Sequence, residues 1–164
     1  MTYLLARAGL EDLPEMIEQE AMLFGADAWS PELMVEEVSH SFSYYLVARE
    51  RGSEALAGYG GLRAAPSLAD AGDIQTLATV ADHRKKGVGR MLLRALLEEA
   101  HRRGAGDVFL EVRADNPVAQ SLYGSEAFFV IDRRVGYYQP EGVDALVMRR
   151  RHQDSLAQGT PDHG

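Results

Sequence analysis

The stretch that most restricts what this chain can fold into covers residues 73–104. A β-prone run, Asp-Ile-Gln-Thr-Leu-Ala-Thr-Val at 73–80, passes through a basic, glycine-bearing turn, Arg-Lys-Lys-Gly-Val-Gly-Arg at 84–90, into a long amphipathic helix expected over about 88–103. Val88, Leu92, Leu93, Leu96, Leu97 and Ala100 recur at helical spacing and make a wide apolar face. His101, Arg102 and Arg103 complement the C-terminal end of the helix dipole, and Gly104 suits its cap. The next run, 107–113, is nearly continuous in apolar character through Val108-Phe109-Leu110-Glu111-Val112. That pattern predicts a central strand covered on both faces. Strand, helix and strand in this order form a βαβ unit with a parallel pair.

The rest of the chain supplies elements around that unit. A short strand is expected at 2–7, then a helix from Glu11 to Phe24 with Leu13, Met16, Ile17 and Ala21 on its inner face, closed by Gly25. Ser30-Pro31 is a helix start, serine as N-cap and proline at the first helical position, opening a second helix to about Ser39. Residues 42–50 and 55–63 read as a hairpin, with Gly58, Gly60 and Gly61 signalling a bulge or a close backbone approach in its second strand. Residues 66–72 lack periodicity and read as a loop. Asn116-Pro117 repeats the cap signal and opens a helix to about Glu126, and 128–138 and 145–150 read as two final antiparallel strands. The order β-α-α-β-β-β-α-β-α-β-β predicts an α/β fold: a mixed sheet of about seven strands with helices on both faces.

Length and composition narrow the function. The 164 residues suffice for one well-buried core and are few for two, so a single domain over 1–150 is expected, followed by a polar, disordered tail over 151–164. Seventeen basic against 25 acidic residues leave a net charge of -8, which argues against general nucleic-acid binding and favours cationic partners. The absence of cysteine removes disulfides, thiol nucleophiles and thiolate metal sites. The five histidines show no metal-binding spacing, and no G-x-S-x-G elbow occurs. No apolar run approaches membrane-spanning length and no targeting pattern opens the chain, so a cytoplasmic protein is expected.

The glycine turn carries the chemistry. It is no Walker loop, since G-x-x-x-x-G-K-[ST] is absent, and no dinucleotide fingerprint, since Leu92 occupies the third glycine position. What remains is R-x-x-G-x-G, with Arg84, Lys85, Lys86 and Arg90 clustered at a helix start. The dipole there disfavours cations, so helix stabilisation does not explain them, whereas a bound anion on free backbone N–H groups does. Two further residues admit two readings each from the pattern alone. Glu111 in an apolar strand is an edge or arginine-paired carboxylate, or a catalytic one; Tyr123 is an aromatic packed on the sheet, or a phenol in a site.

Residues 73–104, together with Leu110-Glu111-Val112-Arg113, Asn116 and Leu122-Tyr123, resemble the GCN5-related N-acetyltransferase (GNAT) family. Ala28-Trp29-Ser30 and Tyr137-Tyr138 extend the resemblance to its RimI branch, which acetylates the N-terminal amine of a ribosomal protein. The resemblance spans about 2–150. It implies acetyl-CoA as co-substrate and no metal. The pyrophosphate would lie on the N–H groups around Arg84, Lys85, Lys86, Gly87, Val88, Gly89 and Arg90, and the pantetheine arm would pair as a half-strand with Leu77, Ala78 and Thr79, where a bulge splays the neighbouring strand. An N–H near Leu77 or Ala78 would polarise the thioester oxygen. Glu111 is implied as general base, Tyr123 as the acid that protonates the CoA thiolate, Asn116 as a cap that also touches the cofactor, and Trp29, Tyr137 and Tyr138 as the peptide groove. The pattern departs from the family at Ala127, where a glycine is usual. Lysine, small-molecule amine and protein N-terminus all remain acceptors on this reading, as does a CoA-binding sensor without turnover; the preferred one is a ribosomal-protein N-terminus, met by a monomer or weak dimer.

Overall fold

The computed structural model describes residues 2–151; the expected tail lies, from residue 152 on, outside the described residues. Seven strands form one mixed sheet: β1 (Tyr3–Arg7), β2 (Ser43–Glu50), β3 (Leu56–Arg63), β4 (Ala71–Thr79), β5 (Asp107–Arg113), β6 (Phe129–Tyr138) and β7 (Val143–Arg150). Their spatial order is β1-β2-β3-β4-β5-β7-β6, and every neighbouring pair is antiparallel except β4 with β5. The helices are α1 (Leu13–Phe24), α2 (Pro31–Ser39), α3 (Val88–Arg102) and α4 (Pro117–Ser125).

The helices divide between the two faces of the sheet. All six apolar positions read from α3 are buried, and they join Leu46, Leu62, Leu110, Val112 and Tyr123 in the larger core. Met16 of α1 and Met34 of α2 close the smaller core against Tyr45, Tyr59 and Ala78 on the opposite face. Ser30 caps α2 as its sequence predicts, its Oγ accepting from the Leu33 N–H at 3.1 Å. Among the hairpin glycines, Gly61 is required by contact: a Cβ there would lie 2.2 Å from Cζ of Tyr45, a ring only 2% exposed.

Three sequence expectations need correction. Ala21, expected on the inner face of α1, is exposed, because Glu20 takes the buried position beside it. β4 begins at Ala71, inside the expected loop, because Ala71 and Gly72 pair with Asp107 and Val108 of β5, a tertiary contact that local propensity does not report. β5 is not covered on both faces: Val108, Leu110 and Val112 are buried, whereas Phe109 is half-buried and Glu111 exposed. Its second face opens into the cleft described next.

Candidate active site

The parallel pairing of β4 and β5 lasts three residues, Ala71↔Asp107, Gly72↔Val108 and Asp73↔Phe109. Beyond it the strands separate. On its other edge β4 follows β3, but the register slips between Gly61↔Thr76 and Leu62↔Ile74, leaving Gln75 as the extra residue of a bulge. The Val80 N–H donates to the Ala57 carbonyl at 2.8 Å, which sets the phase of the ladder. Alternation then turns Ala78 toward β3 and turns the N–H and C=O groups of Leu77 and Thr79 into the gap. Of the two residues expected to polarise a carbonyl, the ladder leaves Leu77 available.

The gap runs to the glycine turn. Lys85 and Gly87 both take left-handed backbone conformations, φ 63° and 84°, and no backbone acceptor among the described residues engages the N–H groups of residues 85–90. Alternating handedness turns successive N–H groups to one side and forms an anion-binding concavity at the start of α3. Arg84, Lys85 and Lys86 are exposed and form no ion pair among the described residues. Arg90 departs from the expectation: its guanidinium bonds Ser125 Oγ at 2.9 Å and pairs with Glu126, which Arg94 also reaches at 3.0 Å. Its side chain therefore ties α3 to the end of α4, and only its backbone serves the concavity. A Cβ on Gly89 would sit 3.5 Å from Thr79 Oγ1 and 3.4 Å from Leu122, at the junction of gap and turn.

At the other end a cleft of about 730 Å³ opens on the α1–α2 face of the sheet. Asp27 and Trp29 of the α1–α2 loop form one wall, Asp73 to Gln75 of β4 and Phe109 to Glu111 of β5 the floor, and Arg134, Tyr137, Tyr138 and Gln139 the far side. Trp29, Glu111, Tyr137 and Tyr138, far apart in sequence, thus line one cleft. Glu111 faces Arg134 Nε at 3.2 Å. The charge of Glu111, then burial, raises the Tyr137 phenol above its ordinary value. The rings of Tyr137 and Tyr138 meet edge to face at 5.1 Å.

Tyr123 stands behind this cleft and does not line it. Asn116 caps its helix, the Oδ1 accepting from the Ala119 N–H at 3.1 Å. Burial first, and the Tyr138 hydroxyl second, push the Tyr123 phenol up to about 12, so it stays protonated at neutral pH. Ala127, after this helix, adopts φ 74°, so the chain keeps a glycine-like turn with an alanine in it.

Several lining residues were missed from sequence. Asp73 brings a second carboxylate, held above its ordinary pKa by lost hydration and by Glu111, with Arg63 acting against both. Arg113, which does not itself line the cleft, ties the α1–α2 loop to the β6–β7 connection: it reaches Asp27 at 2.5 Å, Glu141 at 3.0 Å and the Tyr138 ring at 5.2 Å. An arginine ending an apolar strand, two residues after a glutamate, was the available signal.

A parallel pair that splays, a backbone-lined gap and an N–H concavity at one end define a site for a long anionic acyl donor, and the chain belongs to the acetyltransferase (GNAT) family, whose model matches residues 11–128. It is 38% identical to the N-alpha-acetyltransferase RimI of Mycobacterium tuberculosis over 145 residues, 87% of this chain and 89% of that protein. It is 31% identical to a putative ribosomal protein bS18 alanine N-acetyltransferase of Bacillus subtilis over 140 residues, 85% of this chain and 89% of the relative. The crystal structure of the ribosomal-protein-S18-alanine N-acetyltransferase from Escherichia coli superposes with a TM-score of 0.80 at 26% identity, covering 92% of this chain and 94% of that one. The protein is an acetyltransferase using acetyl-CoA. No helix among the described residues is long and apolar enough to cross a membrane.

Proposed function

We propose that this protein transfers the acetyl group of acetyl-CoA to the N-terminal α-amine of a ribosomal protein in the cytoplasm, with residues 1–150 acting as one catalytic domain. The observation that carries this reading is the continuity of the gap: an N–H concavity at one end, Leu77 and Thr79 backbone along it, and at the other a cleft with three carboxylates, of which Asp27 is held by Arg113 and Asp73 and Glu111 lie on the floor. Similarity to the named relatives supplies the acceptor class.

In this reading Lys86, Gly87, Val88, Gly89 and Arg90 hold the pyrophosphate through backbone N–H groups, with Arg84 and Lys85 adding charge. Leu77 and Thr79 pair with the pantetheine amides, and the Leu77 N–H faces the thioester oxygen as charge develops there. Trp29, Tyr137 and Tyr138 enclose the first residue of the acceptor. Asp73 and Glu111 together attract an ammonium, and Glu111, directly or through one water, takes its first proton. The task is modest: with a pKa of about 7.7 to 8.0, roughly a tenth of α-amines are already neutral at pH 7, against well under a thousandth of lysines at about 10.4. The nitrogen bonds the acetyl carbon and sheds its second proton, the C–S bond breaks, and Tyr123 gives its phenolic proton to the departing thiolate and is reprotonated from solvent. One proton is released per turnover.

The test is thiol release from acetyl-CoA with peptides differing in their first residue, beside N-blocked lysine peptides and polyamines. Turnover on free N-termini, and on the N-terminal sequence of ribosomal protein S18 above others, is expected. Turnover confined to blocked peptides or polyamines refutes the assignment, and acetyl-CoA binding without turnover on any amine leaves a sensor.

A further inference from the structure

One buried carboxylate has no part in the chemistry above. Glu20, on the inner face of α1, is 3% exposed and forms no ion pair among the described residues. Residues 8–48 hold nine acidic side chains and no lysine or arginine, so no cation lies near it in sequence. Both of its oxygens are engaged. Oε1 accepts from the Tyr59 hydroxyl at 2.6 Å and Oε2 from the Trp29 N–H at 3.1 Å. Tyr59 is fully buried on β3 and opposite Ala78 of β4, the strand whose other edge lines the gap.

Burying a carboxylate without a cation is costly, and an apolar residue would pack this position without the penalty. Lost hydration accordingly raises the Glu20 pKa, the bonds from Tyr59 and Trp29 only partly opposing it. The position holds an acceptor of two hydrogen bonds that joins a loop backbone to the sheet. The loop is the wall of the cleft that carries Trp29, and Arg113 ties only its earlier residue, Asp27. We propose that Glu20 is a positioning residue for the acceptor, pinning the Trp29 backbone to Tyr59 so that the α1–α2 wall stands at a fixed distance from β4 and β5. This rests on reading that wall as the acceptor side of the cleft.

Trp29 is the only tryptophan in the chain, so its fluorescence reports on the pin without any need for turnover. Glu20→Met removes both acceptors at similar volume; Glu20→Gln keeps one neutral acceptor for the Trp29 N–H, and its NH2 can only donate to the Tyr59 hydroxyl, which reverses that bond. The expected result for Glu20→Met is stronger acrylamide quenching of Trp29, with the KM for an N-terminal peptide raised at least fivefold and the KM for acetyl-CoA within twofold of wild type. Glu20→Gln should fall between, at about threefold in peptide KM. Quenching unchanged, peptide KM unchanged, or both KM values rising together overturns the inference. If Glu20→Met does not fold, Glu20→Gln decides on the same criteria. A wild-type protein that acetylates no N-terminal peptide would fail the proposed function, while quenching still judges the pin.

Discussion

Replacing Glu111 by glutamine separates its chemical role from its structural one. The side chain is 31% exposed and its partner Arg134 53% exposed, so their ion pair is of the solvent-screened kind, worth about 0–1 kcal/mol. For a chain of this size that is a melting shift of at most about 4 °C. Loss of a general base, by contrast, costs roughly 10²–10⁴ in rate. The glutamine variant should therefore melt close to wild type, bind acetyl-CoA by calorimetry with unchanged affinity, and turn over at least about a hundredfold more slowly at pH 7. The deficit should also shrink with pH. If part of the task is the first deprotonation of the ammonium, an amine of pKa about 7.7–8.0 performs that part unaided above about pH 9, which recovers up to about tenfold. Initial rates at saturating acetyl-CoA from pH 6.5 to 9.5 measure this. A variant as fast as wild type at every pH, or one that has lost acetyl-CoA binding, refutes the assignment of Glu111.

Other perturbations test the remaining parts. Tyr123→Phe keeps the buried ring and its edge contact with Phe128 at 5.9 Å, so melting should be unchanged while kcat falls roughly a hundredfold; wild-type kcat would remove the phenol from thiolate protonation. Gly87→Ala meets no atom within 4 Å but must hold φ 84°, at about 1–2 kcal/mol; acetyl-CoA KM should rise about tenfold with peptide KM unchanged, and equal changes in both would refute the concavity. Ala127→Gly relieves a left-handed alanine at φ 74°, offset by about 0.4–1 kcal/mol of added unfolded-state freedom, for a net gain of up to about 1 kcal/mol by urea unfolding. A loss of stability there would contradict the strain. Glu20 has its folded pKa raised, so its stabilising contribution is present below the ordinary glutamate value and is lost as pH rises through the folded one. The melting temperature of Glu20→Gln relative to wild type should therefore improve from pH 4 to pH 8, and a constant difference would refute the burial cost.

Much of this was legible because its signals are local. The spacing of Val88, Leu92, Leu93, Leu96, Leu97 and Ala100, the Ser30 and Asn116 caps and the glycines of the turn each act within a few residues of backbone, and the structure uses all of them. Side-chain partnerships were less legible. Arg90 reads as a phosphate ligand when only its neighbours in sequence are considered, but Glu126, 36 residues away, satisfies it once α4 packs beside α3. Phe109 reads as core because an aromatic facing a cleft and one facing a helix look alike in a hydrophobic pattern.

The sequence by itself determined the N–H concavity proposed to hold the donor, since free N–H groups at a helix start follow from glycine, handedness and helix termination, all short-range properties. The cleft proposed to take the acceptor was decided by tertiary structure. Asp27, Trp29, Asp73, Glu111, Arg134 and Tyr138 come from four separate segments. They meet only because a three-residue parallel pairing gives way at a bulge and two loops, tied by Arg113 and Glu20, close over the opening.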